Sequence, residues 1–174
     1  NMTYNKVKKV LYLNLVFFLI CSFTACSYSF TGASIPEHLK SIAIPLFKDN
    51  TGGGEPELKE KFTNVLTRKF LDDNQLRVVP KANSDALLEC TIVSLSDGPA
   101  VVSGGEQVTY RRLTLSVKVL YRDLVKKITL IDKNFSDYGE YSTEGDITVA
   151  RKKAIDDTIE KISEDILINV VSNW

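Results

Sequence analysis

The most regular pattern in the chain lies between Tyr110 and Arg122. Leu113, Leu115, Val117, Val119 and Tyr121 alternate there with Arg112, Thr114, Ser116, Lys118 and Arg122. A two-residue period sends the two sets to opposite sides of a strand, so the segment reads as a strand with one buried and one wet face, as in antiparallel sheets. Asp123 to Lys127 reads as a turn, and Ile128 to Phe135 as the strand that pairs back. Ala86 to Leu95 is a further strand, with Leu88, Cys90 and Ile92 opposite Leu87, Glu89, Thr91 and Val93. Ser96 to Val108 reads as a connection around Asp97-Gly98-Pro99 and Ser103-Gly104-Gly105. Upstream, Ser41 to Phe47 is a short apolar run closed by Lys48-Asp49-Asn50-Thr51-Gly52-Gly53-Gly54, a strand and then a loop. Pro45 within it confines it to an edge or a strand end. Leu76 to Val79 is a short strand.

Two segments carry a helical period instead. Leu58, Phe62, Val65, Leu66 and Phe70 share one helix face, while Lys59, Glu60, Lys61, Arg68 and Lys69 occupy the rest. Pro56 opens this helix, since proline suits the first helical position, and it should stop near Asp73-Asn74. The second helix runs from about Thr148 to Ser172. Its stripe is Ile155, Ile159, Ile162, Ile166 and Val170, widened by Leu167 and Val171. Strand, helix, several strands, helix is an α+β order. It predicts a two-layer sandwich: a mostly antiparallel sheet with both amphipathic helices packed on one face. The open face would carry Arg112, Lys118 and Arg122.

The first 25 residues follow another logic. Lys6, Lys8 and Lys9 precede an almost wholly apolar stretch from Val10 to Ile20, and small residues then lead to Thr24-Ala25-Cys26. Charged, apolar and small, in that order, is a secretory signal, and the apolar stretch falls short of the ~20 residues of a membrane span. Phe23-Thr24-Ala25-Cys26 resembles the lipobox of bacterial lipoproteins, with Phe23 where leucine is usual. The expectation is a signal over residues 1–25 and a single domain over 26–174, lipid-anchored at Cys26. Ser27, not an aspartate, follows Cys26; by resemblance to enterobacterial lipoprotein sorting this implies the outer membrane, facing the periplasm, as the expected location. Asn1 before Met2 is left out of the fold reading.

Charge and cysteine content narrow the chemistry. The chain holds 22 Lys and Arg against 22 Asp and Glu, and the leader removes three lysines and no acid. The mature part is thus slightly acidic, which argues against nucleic acid as a partner. Of three cysteines, one is in the leader and one at the anchor, leaving Cys90 alone, so no disulfide framework is expected within one chain. Cys90 reads as a small core residue and the single histidine, His38, as a surface residue. Gly52-Gly53-Gly54 lacks the Lys-Ser or Lys-Thr of a phosphate-binding loop. No nucleophile–base set and no metal cluster emerges, so neither an enzyme nor a cofactor is expected. Arg111, Arg112, Lys118, Arg122, Lys126 and Lys127 form a local basic set. Arg112, Lys118 and Arg122 share one strand face, where they suit phosphate contacts, with Arg112 and Lys118 ~20 Å apart. A solvated sheet face is an equal reading of the same residues.

Several strings resemble the LptE-like family of lipopolysaccharide-assembly lipoproteins. Cys26-Ser27-Tyr28-Ser29-Phe30-Thr31-Gly32 resembles its strand after the lipobox, and Ile42-Ala43-Ile44-Pro45-Leu46-Phe47 with Asn50 its first core strand. Leu76-Arg77-Val78-Val79 followed by Ser84-Asp85-Ala86 resembles its passage from helix to sheet, and Ala154 to Trp174 its final helix. The resemblance implies a non-enzymatic outer-membrane lipoprotein that supports assembly of the lipopolysaccharide-transport β-barrel (LptD-like), plugs it, and contacts lipopolysaccharide. On that footing Arg112, Lys118 and Arg122 are the candidate lipopolysaccharide contacts. The alternative is a periplasmic pilot or adaptor for another envelope or secretion machine.

Overall fold

The computed structural model describes residues 35–172 apart from 53, 56 and 101–109. The leader and Cys26 lie outside the described residues. The strands are β1 (Ser41–Ala43), β2 (Lys48–Asp49), β3 (Arg77–Val78), β4 (Ala86–Pro99), β5 (Tyr110–Asp123) and β6 (Ile128–Ser142). Helix α1 spans Leu58–Asp73 and α2 spans Ile147–Ser172. They form an α+β fold on one open sheet of six strands, ordered β3-β1-β4-β5-β6, with β2 also paired to β4. The long β4, β5 and β6 are antiparallel, whereas the short β1, β2 and β3 join in parallel, so the sheet is mixed.

The alternation at Tyr110–Arg122 does what its period dictates. Leu113, Leu115, Val117, Val119 and Tyr121 are all fully buried. They meet Leu58, Phe62, Leu66 and Phe70 of α1 and Ile155, Ile159, Ile162, Ile166 and Val170 of α2 in one core. Burial of each large aliphatic or aromatic side chain favours the fold by ~1.5–3 kcal/mol, so this cluster is the main stabilising term. Cys90 is in it, and burial drives its thiol pKa well above the usual cysteine range. Helix α1 begins at Leu58 after Glu57, a left-handed residue, and stops where Asn74 turns left-handed and donates its N–H to Phe70 O. Asparagine tolerates that conformation, which is why the helix ends there.

Four expectations need correction. The strand expected over Ser41–Phe47 is split: β1 ends at Ala43 and β2 begins at Lys48. Pro45 offers no N–H to the ladder, so the chain leaves β4 and rejoins it, and Phe47 drops into the core against Phe62, ring centroids 4.8 Å apart. The connection expected from Ser96 starts later, because β4 continues to Pro99. The return strand expected to end at Phe135 continues to Ser142. His38 is not a free surface residue: its Nε2 lies 2.6 Å from Oδ2 of the buried Asp123.

The way the extended part of β4 faces has a specific cause. Its register against β5 shifts between Ile92 and Ser94, leaving Val93 as a bulge. An extra residue reverses which side each following residue faces. Leu95 and Asp97 therefore pair with Leu115 and Leu113 and turn toward the helices.

Candidate functional site

The outward face of the sheet carries all three described candidate residues. Arg112, Lys118 and Arg122 sit on β5, and each meets a carboxylate from a neighbouring strand. Arg112 lies opposite Glu140 of β6, with Nε at 3.0 Å and Nη2 at 2.6 Å from Oε1. Its guanidinium also stacks 4.3 Å from the Tyr138 ring centroid. Lys118 Nζ is 3.2 Å from Asp132 Oδ1, and Arg122 pairs with Glu89 of β4. Ser116 and Ser136 bond to each other at 2.9 Å between the charged rungs.

The electrostatics follow from those pairs. Three cations face three acids, so this strip carries no net formal charge from them. The Glu140 hydrogen bonds hold the Arg112 guanidinium above its already high pKa. The Lys118–Asp132 pair is about half exposed on both sides, and pairs of that kind contribute little stability. An incoming phosphate competes there with water-screened carboxylates, not with a sealed ion pair. The face is a ladder of exchangeable ion pairs beside an exposed Tyr110 and Tyr138.

Away from that face, at the end of the sheet where α2 begins, a denser network lies under the helix layer. The bulge at Val93 turns Asp97 inward, where its Oδ1 accepts from Arg111 Nε at 2.9 Å. Its Oδ2 accepts from the Tyr141 hydroxyl at 2.7 Å and from Arg151 Nε at 3.0 Å. Arg151 reaches on to Glu55 at 2.5 Å. Burial pushes the Asp97 pKa up, but the hydrogen bonds from Tyr141, Arg111 and Arg151 outweigh it and hold the carboxyl below the usual range. Four elements and one loop are thereby joined: β4, β5, β6 and the start of α2, with the loop before α1 through Glu55. The basic set drawn from the sequence included Arg111 but assigned only Arg112, Lys118 and Arg122 to a face, and gave Arg111 no partner. The available signal was Leu95, which breaks the parity of Leu88, Cys90 and Ile92 and so marks the bulge.

Lys126 and Lys127, the remaining members of the basic set, sit apart from both networks at the tip of the β5–β6 hairpin. Among the described residues no group of His, Cys, Asp and Glu is placed to hold a metal, and no helix is long and apolar enough to cross a membrane.

A mixed open sheet, two helices on one side and a polar ladder on the other define an α+β module of the type seen in several bacterial lipoproteins. The solution structure of lipoprotein B from Nitrosomonas europaea matches with a TM-score of 0.56 and 15% identity, covering 84% of this chain and 90% of that one. A minor lipoprotein from Acinetobacter baumannii matches at 0.54 and 10% identity, covering 78% and 94%. A homolog of a neuraminyllactose-binding hemagglutinin from Helicobacter pylori matches at 0.55 and 12%, covering 84% and 90%. At such identities these likenesses establish the fold alone. No curated protein matches the sequence. The family model for LptE, lipopolysaccharide assembly, matches residues 39–170, and the chain belongs to that family. Its general role is therefore in lipopolysaccharide assembly.

Proposed function

We propose that the chain is exported, acylated at Cys26 and held at the outer membrane facing the periplasm, where it supports assembly of the lipopolysaccharide-transport β-barrel, plugs it and contacts lipopolysaccharide. The family match over residues 39–170 carries this reading. The outward face supports it. Barrel lumens are polar, and a plug must offer them hydrated, exchangeable pairs instead of an apolar surface. Arg112–Glu140, Lys118–Asp132 and Ser116–Ser136 are such pairs. Arg112, Lys118 and Arg122 stand along the strand like successive contacts for an extended, acidic glycolipid head group.

Co-purification tests the partner. A stable complex with a very large outer-membrane barrel is expected, and recovery of a secretion ring instead would favour the pilot reading. Fatty-acid labelling tests the anchor: Cys26→Ser should lose the label, and equal label in the variant would refute acylation there. For the face, Arg112, Lys118 and Arg122 are changed together to Gln. Reversal to Glu would set each new carboxylate against Glu140, Asp132 or Glu89 and confound binding with repulsion. Weaker, less salt-sensitive binding to lipopolysaccharide with an unchanged melt is expected. Unchanged affinity would reduce this face to a solvated surface.

A further inference from the structure

The β5–β6 hairpin ends in Leu124-Val125-Lys126-Lys127-Ile128, and this tip combines features that the ladder on the sheet lacks. Val125 and Ile128 are large, apolar and about half exposed, at 56% and 48%. Lys126 and Lys127 between them are exposed, and neither takes part in a described ion pair. The turn is stiff: Asp123 Oδ1 accepts the N–H groups of Val125 and Lys126, both at 2.8 Å, and Leu124 N–H donates to Asp85 O at 2.8 Å. Lys127 is left-handed, with φ 57°, which closes the turn.

The acids near the tip are taken up elsewhere. Asp123 is buried against His38. Asp85 accepts from Ser41 Oγ at 2.7 Å and Lys40 N–H at 3.0 Å. Asp132 faces Lys118. Glu37 is an exposed acid next to His38 in the chain, with exposed Lys40 three residues further on. The tip therefore presents two apolar side chains around two cations, the combination that settles into the interface of an anionic bilayer. A comparable apolar pair at the opposite end, Ile147 and Val149, stands between exposed Glu144 and Asp146 on one side and exposed Lys152 and Lys153 on the other, so it lacks the one-sided positive charge of the tip.

Chain connectivity points the same way. The His38–Asp123 bond brings the chain into the described domain at the base of this hairpin. Residues 27–34 separate Cys26 from Ile35, and a chain of that length spans at most about 30 Å.

We infer that the β5–β6 tip is a membrane-surface contact, with Val125 and Ile128 entering the interface of an anionic phospholipid bilayer and Lys126 and Lys127 meeting its phosphates. This adds to the proposed acylation at Cys26, and on that reading the lipid holds the chain near the surface that the tip then engages.

The test uses the full chain purified from bacterial membranes with Trp174→Phe, so that one new indole reports. V125W and, as the opposite-end control, V149W are reconstituted into vesicles of phosphatidylethanolamine and phosphatidylglycerol, with and without brominated acyl chains. V125W should show blue-shifted emission quenched by the brominated lipid, and V149W should show neither. Adding Lys126→Glu and Lys127→Glu to V125W should remove the quenching. Quenching of neither indole, quenching of both, or quenching that survives the charge reversals would overturn the inference. Acylation is read separately by fatty-acid label: labelled protein with an unquenched V125W indole defeats the tip alone, and unlabelled protein with a quenched one defeats only the anchor.

Discussion

Gly139 of β6 lies so close beneath Ala154 of α2 that a Cβ added to it would stand 2.7 Å from the Ala154 carbonyl oxygen. The Thr158 hydroxyl, which donates to that same carbonyl at 2.7 Å, would be 2.8 Å from the added carbon. Backbone and a buried hydroxyl leave no room to yield. Gly139→Ala should therefore destabilise the domain by about 1–3 kcal/mol, the usual cost of overpacking. Gly98→Ala, where an added Cβ meets nothing within 4 Å, should stay within about 0.5 kcal/mol of the parent. Denaturant melts of the two variants decide the matter, and equal midpoints would show that α2 is not seated on β6 as described.

The core itself admits a stronger test. Leu115 and Ile162 are both fully buried, one at the centre of the sheet's inner face and one on the α2 stripe. A lone carboxylate at either place costs several kcal/mol, comparable with the whole stability of a small domain. Leu115→Asp and Ile162→Asp should each abolish cooperative unfolding at neutral pH. A circular-dichroism melt like the parent's for either variant would contradict the packing of α2 on the sheet.

Much of this packing was legible because it rests on period. The two-residue alternation of β5 and the apolar stripes of α1 and α2 each follow from geometry that repeats along the element, and their observed bounds differ from expectation by a few residues. What escaped the sequence reading is what repetition does not encode. The Val93 bulge is one residue, yet it decides that Asp97 faces inward, and β4 runs on through Asp97-Gly98-Pro99, a string that otherwise reads as a turn. The end of β6 escaped for a similar reason. Ser136 to Ser142 is polar and contains Gly139, a poor strand signal, but Gly139 is where α2 crosses closest. The three cations on the β5 outer face were correctly placed on one side, while the acids opposite them come from Glu89, Asp132 and Glu140 on other strands, beyond the reach of a pattern within one segment.

The Asp97 network yields a prediction that separates it from the outer ladder. Asp97→Ala would leave Arg111, Tyr141 and Arg151 without their common acceptor. Because these side chains are partly exposed and water replaces some of the bonds, the expected loss is about 1–2 kcal/mol. Its location is the sharper readout. Arg151 stands in the first turns of α2, so amide exchange should accelerate around 147–155 and not in α1. Lys118→Ala, which removes half of an exposed pair, should change neither the melt nor that exchange. Acceleration in both variants, or in neither, would mean that Asp97 does not hold the start of α2.

The His38–Asp123 contact gives the pH dependence. Burial of Asp123 pushes its pKa up, but the hydrogen bond with His38, the Lys126 N–H, the His38 charge and the Val125 N–H together hold the carboxyl below its usual range. A carboxyl depressed in the folded state binds its proton more readily when unfolded. Its stabilisation is therefore present above the unfolded value of about 3.9 and is lost as pH falls through the folded value. Asp85 and Asp97, also depressed, act in the same direction, so the domain should lose stability steeply below about pH 4. Asp123→Asn keeps an oxygen for the turn amides but removes the charge that faces His38. At pH 7 it should cost roughly 1–3 kcal/mol, in keeping with loss of a charged hydrogen-bond acceptor at a buried position. As pH falls below the unfolded value of about 3.9, the parent's unfolded chain takes up a proton that its folded carboxylate resists, so the parent's advantage over the amide should shrink. Urea melts across pH 7 to 3 measure that difference directly. A gap that stays constant throughout would show that Asp123 is not the depressed, stabilising carboxylate, and that the hairpin base owes its order to packing alone.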